Sequence, residues 1–237
     1  MEAIVLAGGL GTRLHSRISG IPKPMAPVAG RPFLEILLDR LAEKGFRQTL
    51  LSIGYLGSVI SDHFGSRWQG MAIEYVTEDS PLGTGGAIRR ALGEVREDSA
   101  FVLNGDTWLD VEYREMDATH RAANADLTLA ISRVSNMARF GGIDLKGDKV
   151  AGFIEKGCTG PGWINGGVYV LSRDFPWPPD LGEKFSFETD VLFPRLAILR
   201  HSVYVSRGYF LDIGVPEDLD RAQTAFARFD QAQPPKA

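Results

Sequence analysis

Ile4–Val5–Leu6–Ala7–Gly8–Gly9–Leu10–Gly11–Thr12–Arg13, followed by Lys23, is the stretch from which the fold is read. A short apolar run ends in glycines and then in a basic residue. The run predicts a buried strand over residues 2–7, and the glycines predict a tight loop that brings backbone N–H groups close to a ligand. Several unpaired N–H groups converging ahead of a helix favour an anion. Arg13 and Lys23 add fixed positive charge, so the start of the chain reads as a grip for nucleotide phosphates. Taken alone, the loop fits a Gly-rich turn after an edge strand equally well. It is neither the G-x-G-x-x-G dinucleotide fingerprint nor a Walker A loop.

Outward from this loop the chain alternates. Phe33, Leu34, Leu37, Leu38 and Leu41 recur at helical spacing over 33–44, and Gly45 fits the helix C-terminus. Strands are predicted at 49–53, 73–76 and 100–103, with helices at 59–64, 87–95 and 113–123. Two more signals fall at strand ends: the loop Pro81–Leu82–Gly83–Thr84–Gly85–Gly86 and the triplet Asn104–Gly105–Asp106. Strands and helices taking turns predict an α/β fold with a mostly parallel sheet covered on both faces. In such sheets ligands bind at the carboxyl ends of the strands, so these loops can share one crevice. Residues 127–131 alternate as a strand. The second half is richer in strands, with a hairpin around Lys146–Gly147–Asp148, a strand within 163–171, a helix over 188–199 interrupted near Pro194, short strands at 203–205 and 209–211, and a last helix over 216–229. The tail, residues 231–237, is expected to fray. One domain over 1–230 is expected, with 1–135 mainly for the nucleotide and 136–230 mainly for its partner.

Composition narrows the function. The chain has 237 residues, 44% of them hydrophobic, and a formal charge of −4. It is long enough to bury a large core, and the charge gives no support to a nucleic-acid or membrane partner. No apolar run approaches the roughly 20 residues of a membrane span. The single cysteine, Cys158, forms no intrachain disulfide, which suits a cytoplasmic location. His15, His63, His120 and His201 are scattered without metal-ligand spacing, and no G-x-S-x-G elbow is present. Covalent hydrolytic chemistry is therefore not supported.

Asp106 and Asp212 each follow an apolar strand. Two carboxylates at strand ends suit Mg²⁺, which takes one or two carboxylates plus phosphate oxygens and water. Each alone equally suits turn or cap chemistry. Glu155–Lys156 ends another strand, where Lys156 can grip a second phosphate and Glu155 sugar hydroxyls, or the two can form an exposed ion pair. Asn165–Gly166–Gly167 offers an amide beside permissive backbone, for hydroxyls or for a bulge. Glu188, in Phe185–Ser186–Phe187–Glu188, is either a first-turn helix carboxylate or a sugar contact.

Leu6–Ala7–Gly8–Gly9–Leu10–Gly11–Thr12–Arg13 with Pro22–Lys23–Pro24 closely resembles the signature of the sugar-1-phosphate nucleotidyltransferases. The 81–86 loop, Asn104–Gly105–Asp106, Glu155–Lys156, Asn165–Gly166–Gly167 and Phe210–Leu211–Asp212–Ile213–Gly214 fall where that family places its other motifs, over residues 3 to 222. The resemblance implies a Rossmann-like sheet flanked by helices with a smaller β-rich sugar-binding portion. It implies transfer of a nucleotide from an NTP to a sugar 1-phosphate with release of pyrophosphate, by in-line attack and without a covalent enzyme intermediate. It implies that Leu6, Ala7, Gly8, Gly9, Gly11, Thr12 and Arg13 hold the nucleotide with its departing pyrophosphate. Glu78 and Gly83 would meet the base, and Pro81 and Thr84 would also bind the nucleotide. Lys23 would steady the α-phosphate, Lys156 the sugar phosphate, and Asp106 and Asp212 would bind Mg²⁺. Asn104, Gly141, Glu155, Asn165, Gly166 and Glu188 would meet the sugar.

A carboxylate at Glu78 can accept guanine's paired N1–H and N2–H donors, which leans toward GTP. Within the family the pattern is most similar to heptose 1-phosphate guanylyltransferases. The alternatives are mannose 1-phosphate guanylyltransferase, N-acetylmuramate 1-phosphate uridylyltransferase, and a non-catalytic subunit that senses nucleotide sugars. A glycosyltransferase would usually carry Asp-x-Asp, which Asp106–Thr107–Trp108 does not provide. Ser16–Arg17–Ile18 stands where many relatives have Pro-Leu-Thr, a departure that bears on sugar choice more than on the chemistry. Homo-oligomerisation stays open.

Overall fold

A computed structural model describes residues 1–9, 11, 14, 18, 20–147 and 149–231. The expectations at Thr12, Arg13, Asp148 and the tail beyond 231 lie outside the described residues.

The opening run forms β1 (Glu2–Leu6). Minor strands β2 (Pro27–Val28) and β3 (Arg31–Pro32) lead into α1 (Phe33–Glu43), and β4 (Gln48–Ile53), α2 (Gly57–Phe64), β5 (Arg67–Trp68) and β6 (Met71–Thr77) follow. Then come α3 (Gly83–Leu92), β7 (Ser99–Asn104), β8 (Thr107–Leu109), α4 (Tyr113–Ala122) and β9 (Leu127–Val134). The second half holds the hairpin β10 (Gly142–Lys146) and β11 (Lys149–Ile154), the long β12 (Gly162–Ser172), and a π-helix, Phe187–Leu192, running into the short α5 (Phe193–Arg195). It closes with β13 (His201–Ser206), β14 (Phe210–Asp212) and α6 (Pro216–Gln231).

Four strands run parallel at the centre of the main sheet in the order β6-β4-β1-β7. Counted along the chain this is 3-2-1-4, so the order reverses between β1 and β7. That point is where an open α/β sheet leaves a crevice at its carboxyl edge. β1 therefore lies in the middle of the sheet, which removes the edge-strand alternative for the glycine loop. Its side chains serve both faces. Ala3 and Val5 pack into one apolar layer with α1, α2, α4 and α6, while Ile4 packs into the other with α3 and the π-helix. Antiparallel strands β12, β10, β11 and β9 extend the sheet beyond β7, and β13 adds parallel to β9.

The chain ends α1 as its sequence predicts. Gly45 takes φ of 84°, and the Phe46 and Gly45 N–H groups return to the carbonyls of Leu41 and Ala42 at 3.1 and 3.0 Å, a Schellman closure.

Two elements differ from expectation. α3 begins at Gly83 rather than at 87, so the second glycine loop is itself the first turn of the helix. The glycines serve packing there: a Cβ on Gly85 would meet the Phe185 ring at 2.3 Å, and one on Gly86 the Glu183 carbonyl oxygen at 2.3 Å. The helix expected over 188–199 is a π-turn that ends at Arg195. Pro194 has no N–H to continue an α-helical ladder.

Candidate active site

Two cavities open at the carboxyl edge of the parallel strands. The smaller, about 480 Å³, lies against the first glycine loop. The larger, about 860 Å³, lies under the β10–β11 hairpin and the π-helix. Lys23, Asn104 and Asp106 line both. The two spaces therefore meet at one cluster, set at the strand-order reversal between β1 and β7.

The smaller cavity gathers most of the residues expected to hold a nucleotide. Leu6, Gly8, Gly9 and Gly11 line one wall, and Glu78, Pro81, Gly83 and Thr84 the other. Close packing sets this geometry. A Cβ on Gly8 would sit 2.9 Å from Glu78 Oε1, and one on Gly11, whose φ is 59°, 2.9 Å from Lys23 Cβ. Only glycine lets the loop lie this near both partners. Glu78 is fixed from behind: its Oε1 accepts from the Ser52 hydroxyl at 3.1 Å and its Oε2 from the Leu82 N–H at 3.0 Å. Each oxygen keeps a second lone pair for a ligand donor. Ala7 is not on the wall. It is buried, and its N–H extends the ladder to the Ser52 carbonyl at 2.8 Å.

The shared cluster is built by a pairing absent from the sequence expectations. β8 and β14 form a two-stranded antiparallel ribbon with Asp212 opposite Thr107. The Ile213 N–H bonds the Asp106 carbonyl at 3.0 Å. The ribbon thus brings Asp106 and Asp212 side by side from positions more than 100 residues apart. Lys23 Nζ pairs with Asp106 Oδ2. Burial pushes the Asp212 carboxyl above the usual range, the Asp106 charge pushes it further, and Lys23 opposes both. Two carboxylates and one ammonium leave a net negative charge. The donor set fits a hard divalent cation that completes its shell with phosphate oxygens and water. Among the described residues no third His, Cys, Asp or Glu joins them.

The larger cavity gathers the residues expected at the sugar. Gly141, Glu155, Lys156, Asn165 and Glu188 line it, with Asn104 at its junction. Gly166 does not. Its Cβ position is filled by Leu109 Cδ2 at 2.5 Å and the Ala130 carbonyl at 3.0 Å, so it is a packing glycine at the bulge in β12. The neighbouring Gly167 lines the space instead, with φ of 70° and Asn104 Nδ2 at 2.8 Å from a Cβ there. Glu188 is the hub of the far wall. It accepts from the hydroxyls of Thr84, Tyr169 and Ser186 at 3.0, 3.1 and 3.3 Å. Thr84 belongs to the nucleotide loop, so this bond ties the two cavities together. Burial and the Glu188 charge raise the Tyr169 phenol well above its ordinary value, keeping it a donor.

A profile of nucleotidyl transferases matches residues 2–228. The chain belongs to the nucleotidyl transferase family. It is 42% identical to the D-glycero-α-D-manno-heptose 1-phosphate guanylyltransferase of Aneurinibacillus thermoaerophilus, over 94% of this chain and 97% of that one. It is 40% identical to the enzyme of the same name from Campylobacter jejuni, over 92% and 96%. Among solved structures, HddC from Yersinia pseudotuberculosis complexed with GMP-PN superposes with a TM-score of 0.84 at 36% identity, covering 95% of this chain and 99% of that one.

The candidate site also contains residues that motif reading does not select. Ser186 and Thr189, at the start of the π-helix, line the larger cavity, as do Arg139, Phe140, Phe193 and Phe210. Arg139–Phe140 directly precedes Gly141–Gly142. That adjacency to an expected sugar-site glycine is the signal available in the sequence. No described histidine lines either cavity. Among the described residues no helix is long and apolar enough to cross a membrane.

Proposed function

We propose that this nucleotidyl transferase joins GTP and D-glycero-α-D-manno-heptose 1-phosphate into a GDP-heptose and pyrophosphate, in the cytoplasm and for surface polysaccharide. The observation that carries it is the meeting of two cavities at Lys23, Asn104 and Asp106. One space has the glycine loop and Glu78, suited to a guanine nucleotide. The other has acceptors and donors suited to a hydroxyl-rich ring. The similarity to two heptose 1-phosphate guanylyltransferases supports the choice of heptose.

The chemistry follows from the charges. A phosphate monoester loses its second proton near pH 6, so the sugar phosphate arrives as its own nucleophile and needs no general base. This fits walls without a described histidine. An oxygen of the sugar phosphate bonds to the α-phosphorus of GTP, and the bond from that phosphorus to the bridging oxygen breaks. The electron pair leaves with pyrophosphate. Lys23 sits at the junction to steady the α-phosphate charge, and Lys156 lies on the sugar side. The Gly8–Gly11 backbone, with Arg13, holds the leaving group. Asp106 and Asp212 would hold Mg²⁺, whose charge offsets that of the phosphate oxygens. Residues 1–135 mainly bind the nucleotide and 136–230 the sugar, with Lys23, Asn104 and Asp106 common to both.

The test is pyrophosphate release from the four NTPs, each offered with heptose, mannose and N-acetylmuramate 1-phosphates. The highest kcat/KM is expected for GTP with the heptose phosphate. Higher values for mannose 1-phosphate or for UTP would overturn the substrate assignment, and no release from any pair would overturn the enzyme.

A further inference from the structure

Three cations line the larger cavity: Lys23, Arg139 and Lys156. Lys23 is paired with Asp106 at the junction. Lys156 is exposed on the turn after β11. Arg139 is held in place. Its Nη1 pairs with Oδ2 of Asp218, in the first turn of α6. Its guanidinium lies 5.0 Å over the Phe140 ring, and that ring meets Phe210 edge-on at 5.3 Å. Phe210 in turn begins the strand that ends in Asp212.

Asp218 is 4% exposed, and its other oxygen takes Arg221 Nη1 at 2.7 Å. Two guanidinium groups share this one carboxylate. Arg139 is the member of the pair that faces the cavity. Its charge is felt at Asp212, beside the junction.

We propose that Arg139 is the fixed cation that binds the phosphate of the sugar 1-phosphate and sets it beside the junction for attack. This rests on the proposal that a sugar 1-phosphate fills the larger cavity. A guanidinium offers several donors in one plane and matches phosphate oxygens in pairs. Its anchoring by Asp218 and Phe140 means that little side-chain freedom is lost when the phosphate arrives. Lys156, an exposed point charge on a flexible arm, then supplements it. The competing possibility is that Arg139 serves only to neutralise Asp218 and brace α6.

The experiment compares the parent enzyme with Arg139→Met and Arg139→Lys. Pyrophosphate release gives KM for GTP and for the heptose 1-phosphate, and free heptose serves as a competitive inhibitor without a phosphate. For Arg139→Met we expect KM for the sugar phosphate to rise about 10- to 100-fold, the range of one charge-assisted contact. KM for GTP and inhibition by free heptose should stay within about twofold of the parent, a margin under 0.5 kcal/mol. Arg139→Lys should recover part of the loss. An unchanged KM for the sugar phosphate overturns the proposal. So does a parallel loss in GTP KM and free-heptose inhibition, the signature of a brace. Should Arg139→Met fail to fold, Arg139→Lys decides: a selective rise in sugar-phosphate KM supports the proposal, and parent values overturn it. A parent enzyme that turns over no sugar phosphate overturns the underlying function before any variant is compared.

Discussion

Asp106 and Asp212 oppose each other at short range, and the protein tolerates this because Lys23 sits on the pair. An arrangement that raises the Asp212 pKa in the free enzyme is poor for stability and suited to binding a cation. Asp106→Asn removes one charge and keeps the shape. We expect it to lower turnover by at least about 10³-fold, as for loss of a group that stabilises developing phosphate charge. The melting temperature should hold. Pyrophosphate release at the parent rate would contradict the role given to Asp106. Glu78 sets a second prediction at this scale. Both its oxygens are already fixed by Ser52 and Leu82, so Glu78→Gln should keep its place yet present an amide N–H₂ to guanine's donors. The ratio of kcat/KM for GTP over UTP should fall about tenfold or more, the weight of one hydrogen bond to a charged group. An unchanged ratio would remove Glu78 from base recognition. Asp106 was legible in the sequence because it follows an apolar strand and Gly105, and Glu78 through the family resemblance. Arg139 was not, since a lone arginine acquires its meaning only from Asp218, a residue 79 positions away.

Elements were legible where local pattern and tertiary demand agree. α1 has its apolar stripe and its closing glycine, and it forms within one residue of the expected span. α3 and the π-helix fail that test for a shared reason. Glycine is a poor helix former, and it opens α3 because Phe185 and the chain around Phe187 press against it. The Thr84 hydroxyl accepts from the Phe187 N–H at 2.8 Å, and the Gly85 N–H bonds the Phe185 carbonyl at 2.9 Å. π-turns are frequent at functional sites, and this one carries Glu188, which lines the larger cavity and holds Thr84 of the smaller. Gly85→Ala should therefore destabilise the fold by about 1–3 kcal/mol, the usual effect of overpacking, although alanine is the better helix former. Chemical denaturation would show it. A variant as stable as the parent would mean that the Phe185 ring is free to move.

At the scale of the whole molecule, the sheet order could be expected in class but not in detail. Alternating strands and helices predict a parallel sheet, and hydrophobic periodicity says nothing of which strand neighbours which. The reversal between β1 and β7, and the β8–β14 ribbon, arise from long-range pairing. Buried polar groups then tie the distant parts together. His120 on α4 is 4% exposed, with Nδ1 2.9 Å from the Thr128 hydroxyl of β9 and Nε2 3.4 Å from that of Ser172 in β12. Burial lowers its pKa, against the charge of Asp117. A histidine held neutral in the fold takes up its proton more readily when unfolded, so stability is lost as pH falls through about 6.5. The melting temperature should drop between pH 7.5 and 5.5, and His120→Gln should flatten that drop. An equal slope in both proteins would show that His120 does not contribute to it.

On the proposed function, both substrates meet at one centre and react by a single displacement. Using one diastereomer of GTP bearing sulfur on the α-phosphorus, the configuration at phosphorus in the GDP-heptose product reports this directly. Inversion is the result predicted by in-line attack across the junction of Lys23, Asn104 and Asp106. Retention would require two displacements through a nucleophile of the enzyme, and would contradict it.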